Sequence, residues 1–159
     1  MKHLIIFLVM LTTTLHAQEP YLLGKITVAQ LQQSPYKKWF NNQHNNYATD
    51  KKTMAALQPL LDSTVHITIV MATWCGDSKE QVPRFYKVLN QSIYYTNEVT
   101  LICTDKNKTT PDGLLLDKNI IKVPTFIVYQ HHKEIGRIIE TPATTLENDL
   151  LQLLLLQRK

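Results

Sequence analysis

Residues 70–83 read VMATWCGDSKEQVP, and an apolar run, VHITIVM over 65–71, leads into them. That run is rich in β-branched residues and polar only at His66 and Thr68. It predicts a central strand buried on both faces. Residues 76–90 predict a helix, kinked or restarted near Pro83. Cys75 therefore sits where a buried strand turns into a helix. The N–H groups of a first helical turn point at a sulfur in that place and favour its thiolate. Only the thiolate attacks a disulfide. Trp74 shields one side, and Gly76 and Asp77 shape the turn. Lys79 adds positive charge about one turn along, whereas the Asp77 carboxylate opposes a second negative charge. From sequence the balance between them stays open.

The segment ATWCGDSKEQVP aligns without a gap with the thioredoxin pattern Ala-x-Trp-Cys-Gly-x-Cys-Lys-x-x-x-Pro. Further along comes VPTF, residues 123–126, similar to the Val/Ile-Pro-Thr element that opens a hairpin in that family. PYKKWF, VPTFIVY and EIGRIIETP add to the likeness. Together they resemble an exported bacterial group of thioredoxin-like proteins that carries Trp-Cys-Gly-Asp-Ser-Lys. The resemblance implies an α/β, thioredoxin-like fold over 62–159, a central mixed β-sheet flanked by helices, with an N-terminal helical extension over 18–61. It implies that Cys75 is the nucleophile and that Ser78 donates a hydrogen bond to its sulfur, with Lys79 modulating it. It further implies a substrate groove made by Trp74, Gly76, Asp77, Val123, Pro124 and Thr125. Pro124 is expected cis and facing the sulfur, leaving the backbone of Val123 to pair with an extended substrate. The implied partner is a cysteine-containing protein or a small thiol.

Two departures bear on the chemistry. Ser78 stands where thioredoxins carry the second cysteine, which releases substrate from the mixed disulfide. Ile69 stands where they bury an aspartate as a proton relay. Both argue against a general dithiol reductase. A single thiol stops at a mixed disulfide unless an outside thiol completes the exchange. That fits disulfide isomerisation, monothiol exchange or capture of a client. Cys103, within the predicted strand 98–104, is expected to be a packed core residue rather than a partner for Cys75. Two functions stay open: monothiol thiol–disulfide exchange contributing to redox homeostasis, or a redox-inactive module that binds peptide in the same groove. Whether the chain is an enzyme stays open with them.

The whole chain agrees with this scale. Its 159 residues suit one core, and 44% hydrophobic against 19% charged residues describes a globular chain rather than a disordered one. The net charge of +4 comes without a block of like charges, so no nucleic-acid partner is expected. Lys2, the apolar run Leu4–Leu11 and the small Ala17 read as a signal peptide over 1–17. Its eight apolar residues fall short of the ~20 that cross a bilayer. The mature protein is thus expected to be exported, periplasmic or secreted, with no stable membrane span. Two cysteines give no disulfide framework. No metal or organic cofactor is implied. His131 and His132 read as solvated turn residues, His66 as a packed or edge histidine, and Asp77 with Glu80 as acidic residues at a helix start.

The remaining elements follow from local pattern. Thr27 caps a short helix through Gln33, and Tyr36, Trp39, Phe40 and Tyr47 anchor the extension to the core. Asp50 caps a helix over 51–61, with Pro59 near its end. LLLDKNI, 114–120, predicts a short helix after a loop. TFIVYQ, 125–130, and EIGRIIE, 134–140, predict a hairpin turning at His131-His132-Lys133. Thr144 or Thr145 caps a last helix, with Glu147 placed for a capping box with Thr144. The order implies helices on both faces of a mixed sheet.

Overall fold

Strand β2 (Val65–Met71) lies at the centre of a five-stranded sheet in the computed structural model, which describes residues 21–92, 94 and 99–156. The signal segment read at 1–17 lies outside the described residues. Strand β3 (Val99–Cys103) pairs parallel with β2, Ile69 opposite Leu101. On the other side β4 (Thr125–Gln130) runs antiparallel, Ile69 opposite Phe126. Strand β5 (Lys133–Ile139) continues antiparallel from β4. The hairpin turns at His131 and His132, whose φ angles of 50° and 64° are those of a two-residue turn matched to strand twist. Strand β5 thus begins at Lys133, inside the expected turn.

The outer strand on the far side was not legible in the sequence. Strand β1 (Gly24–Ile26) pairs antiparallel with β3, Gly24 opposite Cys103. Thr27 then starts helix α1, a single turn over Val28–Leu31 rather than a helix through Gln33. Helix α2 (Lys37–Asn46) follows, and Asp50 caps α3 (Lys51–Leu57) by accepting the Thr53 N–H at 2.8 Å. A 3-10 turn, Gln58–Leu60, takes up Pro59. Helix α4 (Gly76–Gln91) runs as one element with Pro83 inside it, and α5 (Leu146–Leu156) closes the described chain.

The two sheet faces differ. Buried residues from all five helices, among them Leu31, Phe40, Leu57, Phe85 and Leu150, join Ile67, Ile69 and Met71 of β2 in one cluster. The opposite face carries a small cluster of Val70, Ala72, Ile102, Leu115 and Val123, with Trp74 and Cys75 against it. The helix expected at 114–120 is absent, and that stretch is a string of turns. The helices therefore gather on one face, and turns cover part of the other. Leu114 and Leu116 of that stretch are exposed, at 39% and 82%, so it lacks the buried stripe that stabilises a short helix.

The capping box expected of α5 is also replaced. Thr145 Oγ1 accepts the Asn148 N–H, while Glu147 turns into the core and is 1% exposed. Its carboxylate accepts the Tyr47 hydroxyl at 2.8 Å and the Asp50 N–H at 2.9 Å, tying α5 to the segment between α2 and α3. Among the described residues no helix is long and apolar enough to cross a membrane.

Candidate active site

Cys75 is the N-cap of α4, with extended backbone (φ −89°, ψ 128°). Its N–H closes a tight turn on Ala72 O at 3.1 Å, so the chain reverses within four residues of the end of β2. The turn is anchored three times. Thr73, buried, accepts the Leu22 N–H at 3.2 Å on its hydroxyl. Trp74 Nε1 donates to Thr104 O at 3.2 Å, and Thr104 N donates to Met71 O at 2.9 Å. The sulfur is left partly exposed above the small cluster.

Val123 and Pro124 lie across from it. Their peptide bond is cis, and Cys75 Sγ donates to Val123 O at 3.2 Å. Thr125, buried at the start of β4, fixes the approach by donating its hydroxyl to Lys122 O at 2.7 Å. Glu140 N donates to Pro124 O at 2.7 Å, which bonds the residue after β5 to the groove. Gly76 and Asp77 are exposed at the start of α4, with open space over Gly76. The structure thus brings Trp74, Cys75, Gly76, Asp77, Val123, Pro124 and Thr125 to one end of the sheet.

Ser78 and Lys79 sit differently from expectation. Ser78 is buried at 0% exposure, and its hydroxyl oxygen accepts the Ala72 N–H at 3.2 Å. In the thiol form the sulfur is bound to Val123 O, so the expected Ser78-to-sulfur hydrogen bond gives way to these two. Lys79 carries its ammonium 5.9 Å from the Trp39 ring of α2, so its charge is shared with that aromatic face rather than given to the sulfur alone.

Two charged residues at the site had no signal in the sequence. Lys122 Nζ and Glu140 Oε2 pair at 2.6 Å beside the groove. The bond to Glu140 raises the Lys122 pKa, and the Asp77 carboxylate adds to the effect. That influence places Asp77, Lys122 and Glu140 in one electrostatic neighbourhood at the rim.

A family model described as thioredoxin matches residues 27–151. The chain belongs to the thioredoxin family. The match runs from the residue after β1 to the middle of α5, so it includes residues of the stretch read as an extension. No curated protein matches the chain. Among solved structures, a protein of unknown function from Pseudomonas aeruginosa is 14% identical, with a TM-score of 0.52, over 77% of this chain and 81% of that one. An HIV epitope-scaffold is 13% identical, with a TM-score of 0.51, over 77% and 81%. At these identities the likeness concerns the fold. A thioredoxin from Plasmodium falciparum, 18% identical over 64% of this chain and 88% of that one, has a TM-score of 0.39.

The second departure, Ile69, and the second cysteine, Cys103, also have surroundings. Ile69 is fully buried between Leu101 and Phe126, and its side chain has no proton to relay. Cys103 is also fully buried, in the helix-covered cluster, whereas Cys75 packs against the cluster on the other face. Both cysteines are free. Burial pushes the Cys103 thiol up to about 12. It is a core residue, inert beside a partly exposed Cys75.

Proposed function

We propose that the protein is an exported, thioredoxin-family monothiol exchanger of the cell envelope, acting in disulfide isomerisation or redox homeostasis. In this reading residues 1–17 are removed, 18–61 form the extension and 62–159 the thioredoxin-like domain. The reading also assigns the protein to the exported group with Trp-Cys-Gly-Asp-Ser-Lys. The observation that carries the chemistry is a partly exposed thiol at the N-cap of a 16-residue helix, 3.2 Å from the carbonyl that precedes Pro124.

Cys75 has two sets of partners. Its S–H is held by Val123 O. On losing the proton, the sulfur turns from that carbonyl, which is an acceptor, toward the first-turn N–H groups of α4. The Ser78 hydroxyl, whose oxygen already accepts from Ala72, keeps its own proton to donate to the thiolate. The thiolate attacks one sulfur of a client disulfide. A Cys75–client disulfide forms, and the client's other sulfur leaves as a thiolate. Attack by that same leaving thiolate only restores the original disulfide. A different thiolate of the client, or a small thiol, attacks the client sulfur of the mixed disulfide, forms a new disulfide with it and frees Cys75 as a thiolate. When a client thiolate completes the cycle, the net reaction moves a disulfide without adding or removing electrons. Trp74, Gly76, Asp77, Val123, Pro124 and Thr125 line the groove that holds the client's extended chain.

The test is reactivation of scrambled ribonuclease in a thiol-poor buffer. The wild-type chain is expected to restore activity and the Cys75→Ser variant to restore none. Equal activity from both would overturn the reading. The buried Ile69 favours the second reading, a binding module without redox chemistry. On that reading Cys75→Ser leaves peptide binding unchanged and no mixed disulfide ever accumulates.

A further inference from the structure

Along β2, His66, Thr68 and Val70 face one side of the sheet, and Ala72 continues that side. Val70 and Ala72 are covered by Leu115 and Val123 in the small cluster. His66 and Thr68, the polar residues of an otherwise apolar strand, instead line a cavity of about 420 Å³. Leu114 and Lys118, from the turns at 114–120, form part of its wall. From Thr68 to Ala72 the strand advances about 13 Å, so the cavity lies well away from Cys75. Ile102 belongs to both and stands between them.

The lining is one-signed. Lys25, His66, Lys118 and His132 bring nitrogen groups, Thr68 and Thr100 bring hydroxyls, and no carboxylate is among the described lining residues. Lys118 is held in place by its backbone, since Arg137 Nη1 donates to Lys118 O at 2.9 Å. Its ammonium stands 6.0 Å from the Tyr129 ring. Glu134, whose carboxylate feels the Lys118 charge, is bound by Arg137 Nε and Nη2 at 2.7 and 2.8 Å. His66 Nε2 meets Thr100 Oγ1 at 3.2 Å, and its ring lies 6.3 Å from that of Tyr129. Tyr129, Ile102 and Leu114 complete the walls with apolar surface. Pockets of ~300–1,000 Å³ with apolar walls and a few convergent polar groups are the usual form of small-molecule sites.

We propose that this cavity binds a small organic anion: a carboxylate or phosphate head between Lys25 and Lys118, on a flat apolar body packed against Tyr129, Ile102 and Leu114. The site is independent of the thiol, so it stands or falls separately from the exchange reaction. Two lysines in one lining with an aromatic ring select charge and flatness together. A neutral molecule of the same shape leaves both ammonium groups without an anion and binds more weakly.

The experiment is a backbone amide NMR titration of the full chain with benzoate, phenyl phosphate and uncharged benzamide at millimolar concentrations. Benzoate or phenyl phosphate is expected to shift the Thr68, Thr100 and Tyr129 signals while leaving Cys75 and Gly76 in place. The stronger of the two names the head group. Benzamide is expected to bind at least ~10-fold more weakly, and the Lys25→Gln/Lys118→Gln double variant to lose at least ~10-fold in affinity for the anion. Both lysines are substituted by a polar side chain at the cavity rim, and an unchanged amide spectrum checks that the fold survives. Lys38→Gln/Lys106→Gln, two exposed lysines outside the cavity lining, remove the same net charge and are expected to change nothing. No shift from either anion, shifts confined to the exposed Leu116 and Ile121, or equal affinity in the double variant would each overturn the proposal.

Discussion

Cys75 Sγ donates its proton to Val123 O across 3.2 Å, which joins the start of α4 to the residue before Pro124. The sulfur makes no side-chain hydrogen bond to the first turn of its own helix. A carbonyl accepts from a thiol and cannot bond a thiolate, so the proposed exchange calls for the sulfur to leave Val123 O as it ionises.

That partner change predicts which thiol reacts. Iodoacetamide at neutral pH is expected to label Cys75 alone in the folded chain. Cys103 is fully buried, and its thiol is pushed up to about 12, leaving about 10⁻⁵ of it ionised at pH 7. Peptide mass mapping before and after unfolding checks this. Labelling of Cys103 in the folded chain would show that the helix-covered core opens.

The same buried thiol sets a window of alkaline instability. An unfolded cysteine ionises near ~8.5, while folded Cys103 holds its proton to about 12. Between those values the unfolded chain binds fewer protons than the folded one. Stability is therefore fully present below the lower value and falls with rising pH, by up to ~1.4 kcal/mol per pH unit for one group. Tyr86, whose phenol is also raised by burial, adds to the loss above its ordinary range. Urea unfolding of Cys103→Ala between pH 9 and 10 is expected to show a slope shallower by ~1 kcal/mol per pH unit than the wild type. An unchanged slope would mean that Cys103 is open to water.

The rim charges predict selectivity toward charged disulfides. Lys122 offsets Asp77 and Glu140 at the groove. Lys122→Gln leaves the two carboxylates unopposed. Its reaction with the anionic reagent DTNB is expected to slow by ~3-fold relative to the neutral dithiodipyridine, with the difference fading as salt is added. Stopped-flow rates at low and high salt check it, and a ratio that salt does not move would assign the effect to shape.

Glu147 reaches Tyr47 and the Asp50 N–H, residues about a hundred positions earlier in the chain. Glu147→Ala leaves both donors without that acceptor, and truncation of such a buried acceptor is expected to destabilise the chain by about 2–4 kcal/mol. Glu147→Gln, which keeps an acceptor oxygen, is expected to lose less. Urea midpoints of the two variants rank them.

These interactions show where sequence reading ends. Strand β2, helix α4 and the β4–β5 hairpin were legible because their signals are local: a β-branched run, a cap and a turn between two runs. The placing of Cys75 at a helix start, beside a cis Val123–Pro124 bond, was expected from residues that keep a fixed spacing. Strand β1 was not, since three residues, Gly24–Ile26, form a strand only by pairing with β3. The turns at 114–120 contain leucines enough for a helix, but too few of them find a core to bury in. The Lys122–Glu140 pair and the role of Glu147 depend on contacts distant in sequence. A capping-box spacing at Thr144 and Glu147 lost to a buried site that offers the carboxylate two donors.

Ser78 gives the sharpest test of why one thiol is present. It occupies the third helical position after the Cys75 cap, buried, with its oxygen on the Ala72 N–H. One helical turn places the two residues within the reach of a disulfide, whose Cα atoms lie at about 4.4–6.8 Å. In Ser78→Cys, the new thiolate can attack the Cys75–client disulfide, forming an intramolecular disulfide and expelling the client as a thiolate. Treatment of the wild type with oxidised glutathione is expected to leave a stable adduct on Cys75. The same treatment of Ser78→Cys is expected to leave no adduct and a chain lighter by two hydrogens, because the second thiol resolves the first product. The variant also loses the hydroxyl acceptor for Ala72 N–H, which is expected to cost about 1–3 kcal/mol in stability. Intact-mass measurement separates the outcomes. An adduct that persists in Ser78→Cys would mean that the buried position at 78 cannot reach the sulfur, and that the serine is held there by packing against Ala72 rather than by the chemistry of exchange.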